Sequence, residues 1–161
     1  MIATMAILAV VMTVTSMMLW TATSGFSAGS MSDQLHTDAS MSLERIVREF
    51  RGIPRKPASF APDITSVTST AITWNTNSTL TLTGTNLMLR ELGGPSRLLL
   101  ADVSSLSLRC YDESNTALPT SLAGSSCDAV RRISITLTLR RSGVLETART
   151  KVFIRSLTPG A

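Results

Sequence analysis

Met1–Ser32 contains no Asp, Glu, Lys or Arg; the 15 basic and 11 acidic side chains of this 161-residue chain all lie from Asp33 onward. A single histidine, His36, excludes a His-rich metal centre. The only two cysteines, Cys110 and Cys127, do not form a CxxC pair, and neither a Gly-rich phosphate loop nor a Ser/His/Asp arrangement is present. These lacks argue against an enzyme, a cofactor and a small-molecule substrate. Aromatic residues make up 4% and are not interleaved with the basic ones, which removes stacking platforms and argues against a nucleic-acid partner. After the first apolar stretch no second run of about 20 apolar residues follows, so several membrane spans are excluded. A hydrophobic content of 43% excludes general disorder.

What is present begins with Met1–Thr23, apolar and uncharged. As a helix it covers roughly 35 Å, enough for a hydrocarbon core of about 30 Å. Trp20 stands near its distal end, where an indole prefers the headgroup boundary. A cleavable signal peptide would want a basic n-region and a shorter apolar stretch. The expectation for 1–23 is therefore a transmembrane helix.

Residues 24–53 continue it. Gly25 and Gly29 predict a bend or local break, because glycine weakens a helix by about 1 kcal/mol relative to Ala. Beyond them Met31, Leu35, Ala39, Leu43, Ile46, Val47, Phe50 and Ile53 recur at spacings of three and four, one apolar helix face. Glu44–Arg48 and Arg45–Glu49 are possible i,i+4 ion pairs. Pro54 stops the helix, and 54–62 reads as a Pro-rich linker.

In 63–161 the period changes to two: Ile72/Trp74, Leu80/Leu82, Leu106/Leu108/Cys110 and Ile133/Ile135/Leu137/Leu139 alternate with Thr, Ser or Arg. That pattern belongs to an antiparallel sheet with one buried face. Turn residues at Asn75–Ser78, Gly93–Pro95 and Ser142–Gly143 separate the runs, the last predicting a terminal hairpin. The fold class is thus α+β: a long N-terminal helix, membrane-spanning in its first half and amphipathic in its second, packed on an antiparallel head of five to seven strands.

Met1–Met12 resembles the type IV prepilin helix that follows a Gly-Phe-Thr-Leu-Ile-Glu signature, with Ala6-Ile7-Leu8-Ala9 at a matching step. Val103–Asp112 and Val130–Leu139 are similar to two strands of minor pilins and J-type minor pseudopilins, and Val152–Arg155 to their last strand. The resemblance spans nearly the whole chain. It implies a minor pilin or pseudopilin, a structural subunit of a type IV pilus or of a type II secretion pseudopilus. It further implies a bacterial inner-membrane protein with a cytoplasmic N-terminus and a periplasmic or extracellular head. The partners implied are other pilin or pseudopilin subunits and inner-membrane lipid, with 1–23 serving as filament-core helix after assembly. Ala3, Ala6 and Ala9 would permit close helix approach. The family's leader and buried carboxylate would precede Met1, which reads as an internal methionine; a prepilin peptidase is a partner only if such a leader exists upstream. The alternative is a single-pass, membrane-anchored extracytoplasmic β-rich module for binding or adhesion.

Outside the cytoplasm, Cys110 and Cys127 are candidates for a disulfide closing the 16-residue loop Tyr111–Ser126, worth on the order of 3 kcal/mol. Two unpaired thiols are the other reading. His36, near Asp33 and Asp38, reads as a helix-surface residue, since a lone imidazole lacks convergent partners. Asp112, Glu113 and Asn115 form either a solvated turn or a weak Ca²⁺ site. Arg131, Arg132, Arg140, Arg141, Arg149, Lys151 and Arg155 cluster on the terminal hairpin as a basic edge, protecting an exposed strand or contacting a partner.

Overall fold

Leu35, Ala39, Ile46, Phe50 and Ile53 are fully buried, and Leu43 nearly so, which places the three-and-four repeat of the helix against the rest of the chain. Met31 and Val47 pack at its margin. The computed structural model describes residues 2–57, 59 and 61–154, and within 2–10 the helix backbone and the side chain of Leu8. The helix, α1, runs over Ile2–Arg51. It ends where Gly52 N–H donates to the carbonyls of Arg48 (3.2 Å) and Glu49 (3.1 Å), two residues before Pro54. Arg48 and Arg51 in its last turn complement the negative end of the macrodipole.

The local break expected at Gly25–Gly29 is absent, and α1 is helical through both glycines. Local hydroxyls support this stretch: Thr21 and Thr23 donate to the carbonyls four residues back, and Ser24 and Ser27 to those three back, at 2.7–3.1 Å. Two glycines cost about 2 kcal/mol together, which a helix anchored through its buried half tolerates.

Every side chain from Val11 to Ser30 is exposed, including Met17 (74%), Trp20 (78%) and Phe26 (80%). Among the described residues no helix is long and apolar enough to cross a membrane. The expected span over 1–23 is therefore not supported. Side chains are described there only at Leu8 and from Val11 onward, and in that part Thr13, Thr15, Ser16, Thr21 and Thr23 stand among the apolar residues.

The head holds nine strands among the described residues, more than the expected five to seven, and two sheets rather than one. Strands β1 (Ile64–Val67), β2 (Ala71–Trp74), β3 (Ser78–Thr83), β4 (Asn86–Arg90), β5 (Arg97–Leu100) and β7 (Leu122–Ala123) form a sheet in the order β5-β4-β3-β2-β1-β7. Strands β6 (Val103–Tyr111), β8 (Arg132–Arg141) and β9 (Val144–Phe153) form the other, with β8 central. All pairings are antiparallel. The alternating runs correspond to β2, β3, β6 and β8, with β9 as the hairpin partner, whereas β1, β4, β5 and β7, of two to five residues, carry no such alternation of apolar residues with Thr, Ser or Arg. The residues 54–62 connect the helix to this head, pinned by an isolated bridge between Arg55 and Pro62.

The β8–β9 turn is Ser142 (φ 49°) and Gly143 (φ 85°), a two-residue hairpin connection whose positive φ values match strand twist. It sets the register Arg141↔Val144 and every pair beyond. The two sheets meet through Leu108 N–H to Ser69 C=O (2.8 Å) and Val103 N–H to Thr85 C=O (2.9 Å). The helix lies mainly along β9, and also touches β8 and β5. One continuous core joins the helix face to Ile72, Trp74, Leu80, Leu108, Ile133 and Ile135. Within it Phe50 meets Trp74 edge to face, centroids 5.3 Å apart and planes at 84°.

Phe50→Ala removes this contact and opens a cavity in the shared core; a loss of about 3–5 kcal/mol in urea unfolding of the full chain is expected. At Gly25 and Gly29 an added Cβ meets open space. Gly25→Ala and Gly29→Ala are each expected to raise helix stability by up to about 1 kcal/mol, read as helical ellipticity during thermal melting.

Candidate functional site

Two surfaces and one buried pair carry the chemistry of the chain. The first surface is the exposed stretch of α1. Of the residues proposed for helix packing, Ala3, Ala6 and Ala9 fall within the helix, but their side chains lie outside the described residues.

The second surface is the outer face of the three-stranded sheet. The register places Arg109, Ser134 and Lys151 side by side in one row, and Ser107, Thr136 and Arg149 in the next. A third row holds Ser105, Thr138 and Thr147, where the two threonine hydroxyls lie 3.1 Å apart. At one end Tyr111, Arg132 and Phe153 form a ladder, with the Arg132 guanidinium 4.5 Å from the Tyr111 ring and 5.6 Å from that of Phe153. Among the described residues the buried Arg132 Nε has no hydrogen-bond partner, and the two rings flank this cation.

The basic edge read from sequence is thereby divided. Arg131 Nη1 donates to the carbonyls of Asp128 (2.7 Å) and Val130 (3.2 Å). Arg141 Nε donates to Asp102 Oδ2 at 2.8 Å, and its Nη2 lies 3.7 Å from Asp38 Oδ2. With Arg132 stacked, these three cations are engaged within the head. Arg155 lies outside the described residues. Arg140, Arg149 and Lys151 remain exposed, and the fold adds Arg109 to them. Arg109 was missed because it lies far from the hairpin in sequence. The alternation of Ser105, Ser107 and Arg109 was the available signal.

Other charge pairs join distant elements. His36 Nδ1 lies 3.0 Å from Glu146 Oε1, so the imidazole has a partner that no local reading could supply. Lys56 Nζ donates to Asp128 Oδ1 at 2.6 Å, tying the linker to the 3-10 segment Gly124–Ala129. Arg45 Nε lies 3.3 Å from Glu49 Oε1, and its Nη2 donates to Glu91. The hydrogen bond to Glu91, then the charges of Glu91 and Glu49, push the Arg45 pKa upward. Of the two expected i,i+4 pairs, Arg45–Glu49 is the one formed. A pocket of about 390 Å³ lies beside Arg45, bordered by Leu89, Pro95 and Arg97.

Cys110, on β6, and Cys127, in the 3-10 segment, are both buried and both free thiols. They are the two cysteines read from the sequence either as a candidate disulfide or as two unpaired thiols. Burial, followed by the influence of Cys127, pushes the Cys110 pKa up to about 12. Burial also raises Cys127, with Lys56 opposing and Asp128 reinforcing the shift. The thiolate needed for exchange is suppressed in both, so these side chains act as small apolar core residues. In the loop between them Asp112 Oδ1 accepts from Thr116 N–H at 2.7 Å, and Asn115 N–H donates to Asp112 C=O at 3.2 Å. Asn115 takes φ 66°. Asp112 is thereby used as a turn former, and no group of three or more His, Cys, Asp or Glu among the described residues is placed to hold a metal ion.

Compared with protein-family models and with curated proteins, the chain matches none.

The raised Cys110 pKa has a pH consequence. An unfolded thiol ionises near about 8.5, whereas folded Cys110 stays protonated up to about 12. The unfolded state therefore binds fewer protons in that window, and this contribution to stability, complete below about pH 8.5, declines as pH rises toward 12. Unfolding midpoints are expected to fall more steeply between pH 8 and 11 in the parent than in Cys110→Ala. At pH 8 without reductant, iodoacetamide is expected to label both cysteines in denaturant and neither in the native chain, read by mass.

Proposed function

We propose that this chain is a minor pilin or pseudopilin, a non-enzymatic assembly subunit of a type IV pilus or a type II secretion pseudopilus. The observation that carries the reading is the division of α1. Its second half is one wall of the head's core, whereas Val11–Ser30 projects large apolar side chains into solvent. Leaving Met17, Met18, Leu19, Trp20 and Phe26 exposed is unfavourable for an isolated chain, because each forgoes about 1.5–3 kcal/mol of burial. Neighbouring helices of the same kind, or lipid before assembly, supply that burial.

In this reading α1 enters the bacterial inner membrane with its N-terminus cytoplasmic, and the head stands in the periplasm or outside the cell. The hydroxyls of Thr13, Thr15, Thr21 and Thr23 suit both settings. Thr15, Thr21 and Thr23 return to the helix's own carbonyls, which satisfies them without water. Assembly then brings parallel helices together through Ala3, Ala6 and Ala9, with small residues allowing close approach. The head keeps its own core throughout, since the Leu35–Ile53 face is already covered.

The second reading is a single-pass anchored extracytoplasmic module for binding or adhesion. The exposed cations on the outer sheet face favour it, because they offer a contact surface that filament packing does not require.

A photo-crosslinking amino acid placed at Met18 in the native host decides between them. Crosslinks to other helical subunits, in a membrane fraction resistant to alkaline carbonate, are expected. Crosslinks to lipid alone would favour the anchored module, and recovery in the soluble fraction without crosslinks would overturn both.

A further inference from the structure

Arg109, Arg140, Arg149 and Lys151 share the outer face of the β6-β8-β9 sheet, and all four are exposed. Among the described residues no ion pair engages them. Between them stand six serine and threonine side chains, at positions 105, 107, 134, 136, 138 and 147. The outward positions of the three strands include no carboxylate; Glu146, the one acidic residue of β9, alternates to the helix side and meets His36. The charge continues around the free edge of β9. There a groove between the strand and α1 is lined by Arg48, Arg51 and Arg149, with Glu44 as its single carboxylate.

Protection of an edge strand accounts for cations on β9 or β6. It does not account for Arg140 on the central strand, for the two helix arginines facing the same groove, or for a face without acidic residues. Like charges held this close repel one another, and a bound polyanion relieves that repulsion.

We propose that this face and groove bind an acidic polysaccharide, a linear sugar polymer carrying carboxylates. The cation spacing, about 7 Å along a strand and about 10 Å across two, suits any linear polyanion, and two observations choose this partner. The intervening hydroxyls donate and accept, as sugar hydroxyls require. The face also offers Phe153 (65% exposed) as its one well-exposed aromatic ring, too few for the successive base stacking that single-stranded nucleic acid uses. A three-stranded sheet is wider than the two-stranded ribbon that a major groove admits, so duplex DNA would be met chiefly through its phosphates. The surface lies on the head and stands independently of whether the chain assembles into a filament.

The test uses the full chain in detergent, with alginate as the polyuronate, neutral dextran as a control and a 20-base-pair duplex DNA as a competitor. Alginate is expected to bind with an affinity that falls as salt rises, and dextran not to bind. The variant Arg109→Ala/Arg149→Ala/Lys151→Ala is expected to lose roughly tenfold in affinity, the sum of three modest surface contacts. Arg97→Ala, exposed on β5 of the other sheet, is expected to change affinity by less than about twofold. Should the triple variant lose its far-UV circular dichroism, Arg149→Gln/Lys151→Gln serves in its place, and Arg149→Lys/Lys151→Arg is expected to retain binding. Alginate binding that survives either neutralised variant, or that ignores salt, would overturn the surface. Duplex DNA binding more tightly than alginate would overturn the choice of partner.

Discussion

The burial of one helix face organises this molecule. Leu35, Ala39, Leu43, Ile46, Phe50 and Ile53 contribute to a core that neither sheet closes alone. The three-stranded sheet presents Ile133, Ile135 and Leu137, and the six-stranded sheet presents Ile72, Trp74 and Leu80 to the same interior. The Phe50–Trp74 contact joins the helix to the larger sheet, whereas the main run of helix contacts follows β9. The helix is thus a structural part of the head. Its rigidity then carries the stretch from Val11 to Ser30 away from that head as one continuous rod, because no break intervenes. Exposed Trp20 is held at a defined place by packing that begins at Leu35, about 22 Å away along the same helix at about 1.5 Å per residue.

Charge is allotted in two ways. One set of cations fastens irregular segments: Lys56 to Asp128, Arg131 to the end of the 3-10 segment, Arg141 to Asp102 and Arg45 to Glu91. Exposed pairs of this kind contribute little singly, about 0–1 kcal/mol each, but they select one arrangement of the loops. Arg132 is a special case, flanked by two rings, and among the described residues its Nε has no hydrogen-bond partner. The second set stays on the outer face of the β6-β8-β9 sheet with hydroxyl neighbours. The cysteines belong to neither set; burial makes them apolar filling.

Much of this was legible in the chain. The three-and-four spacing from Met31 to Ile53 marks the buried helix face because the period of a helix is local. The alternation from Ile133 to Leu139 marks the inner face of β8 for the same reason, and Ser142–Gly143 marks the hairpin. The short strands were not legible, since Leu122–Ala123 and Arg97–Leu100 acquire their strand character from neighbours. The division into two sheets was hidden as well, because β7 leaves the order of the chain to pair with β1. The Gly25–Gly29 stretch was misjudged: the cost of glycine is local, whereas the helix that absorbs it is stabilised through a buried face further along.

The sequence by itself determined the α+β class, the side of the helix and of each long strand that turns inward, and the absence of charge before Asp33. These follow from periodicity and composition, which need no knowledge of what lies opposite. Tertiary structure alone decided which charges meet. His36 finds Glu146 across 110 positions, Arg141 finds Asp102, and four of the remaining cations gather with serines and threonines on one face. The reason is geometric: a β-register fixes side-chain neighbours two strands apart, and that register is settled only when the helix, hairpin and both sheets close on a single core.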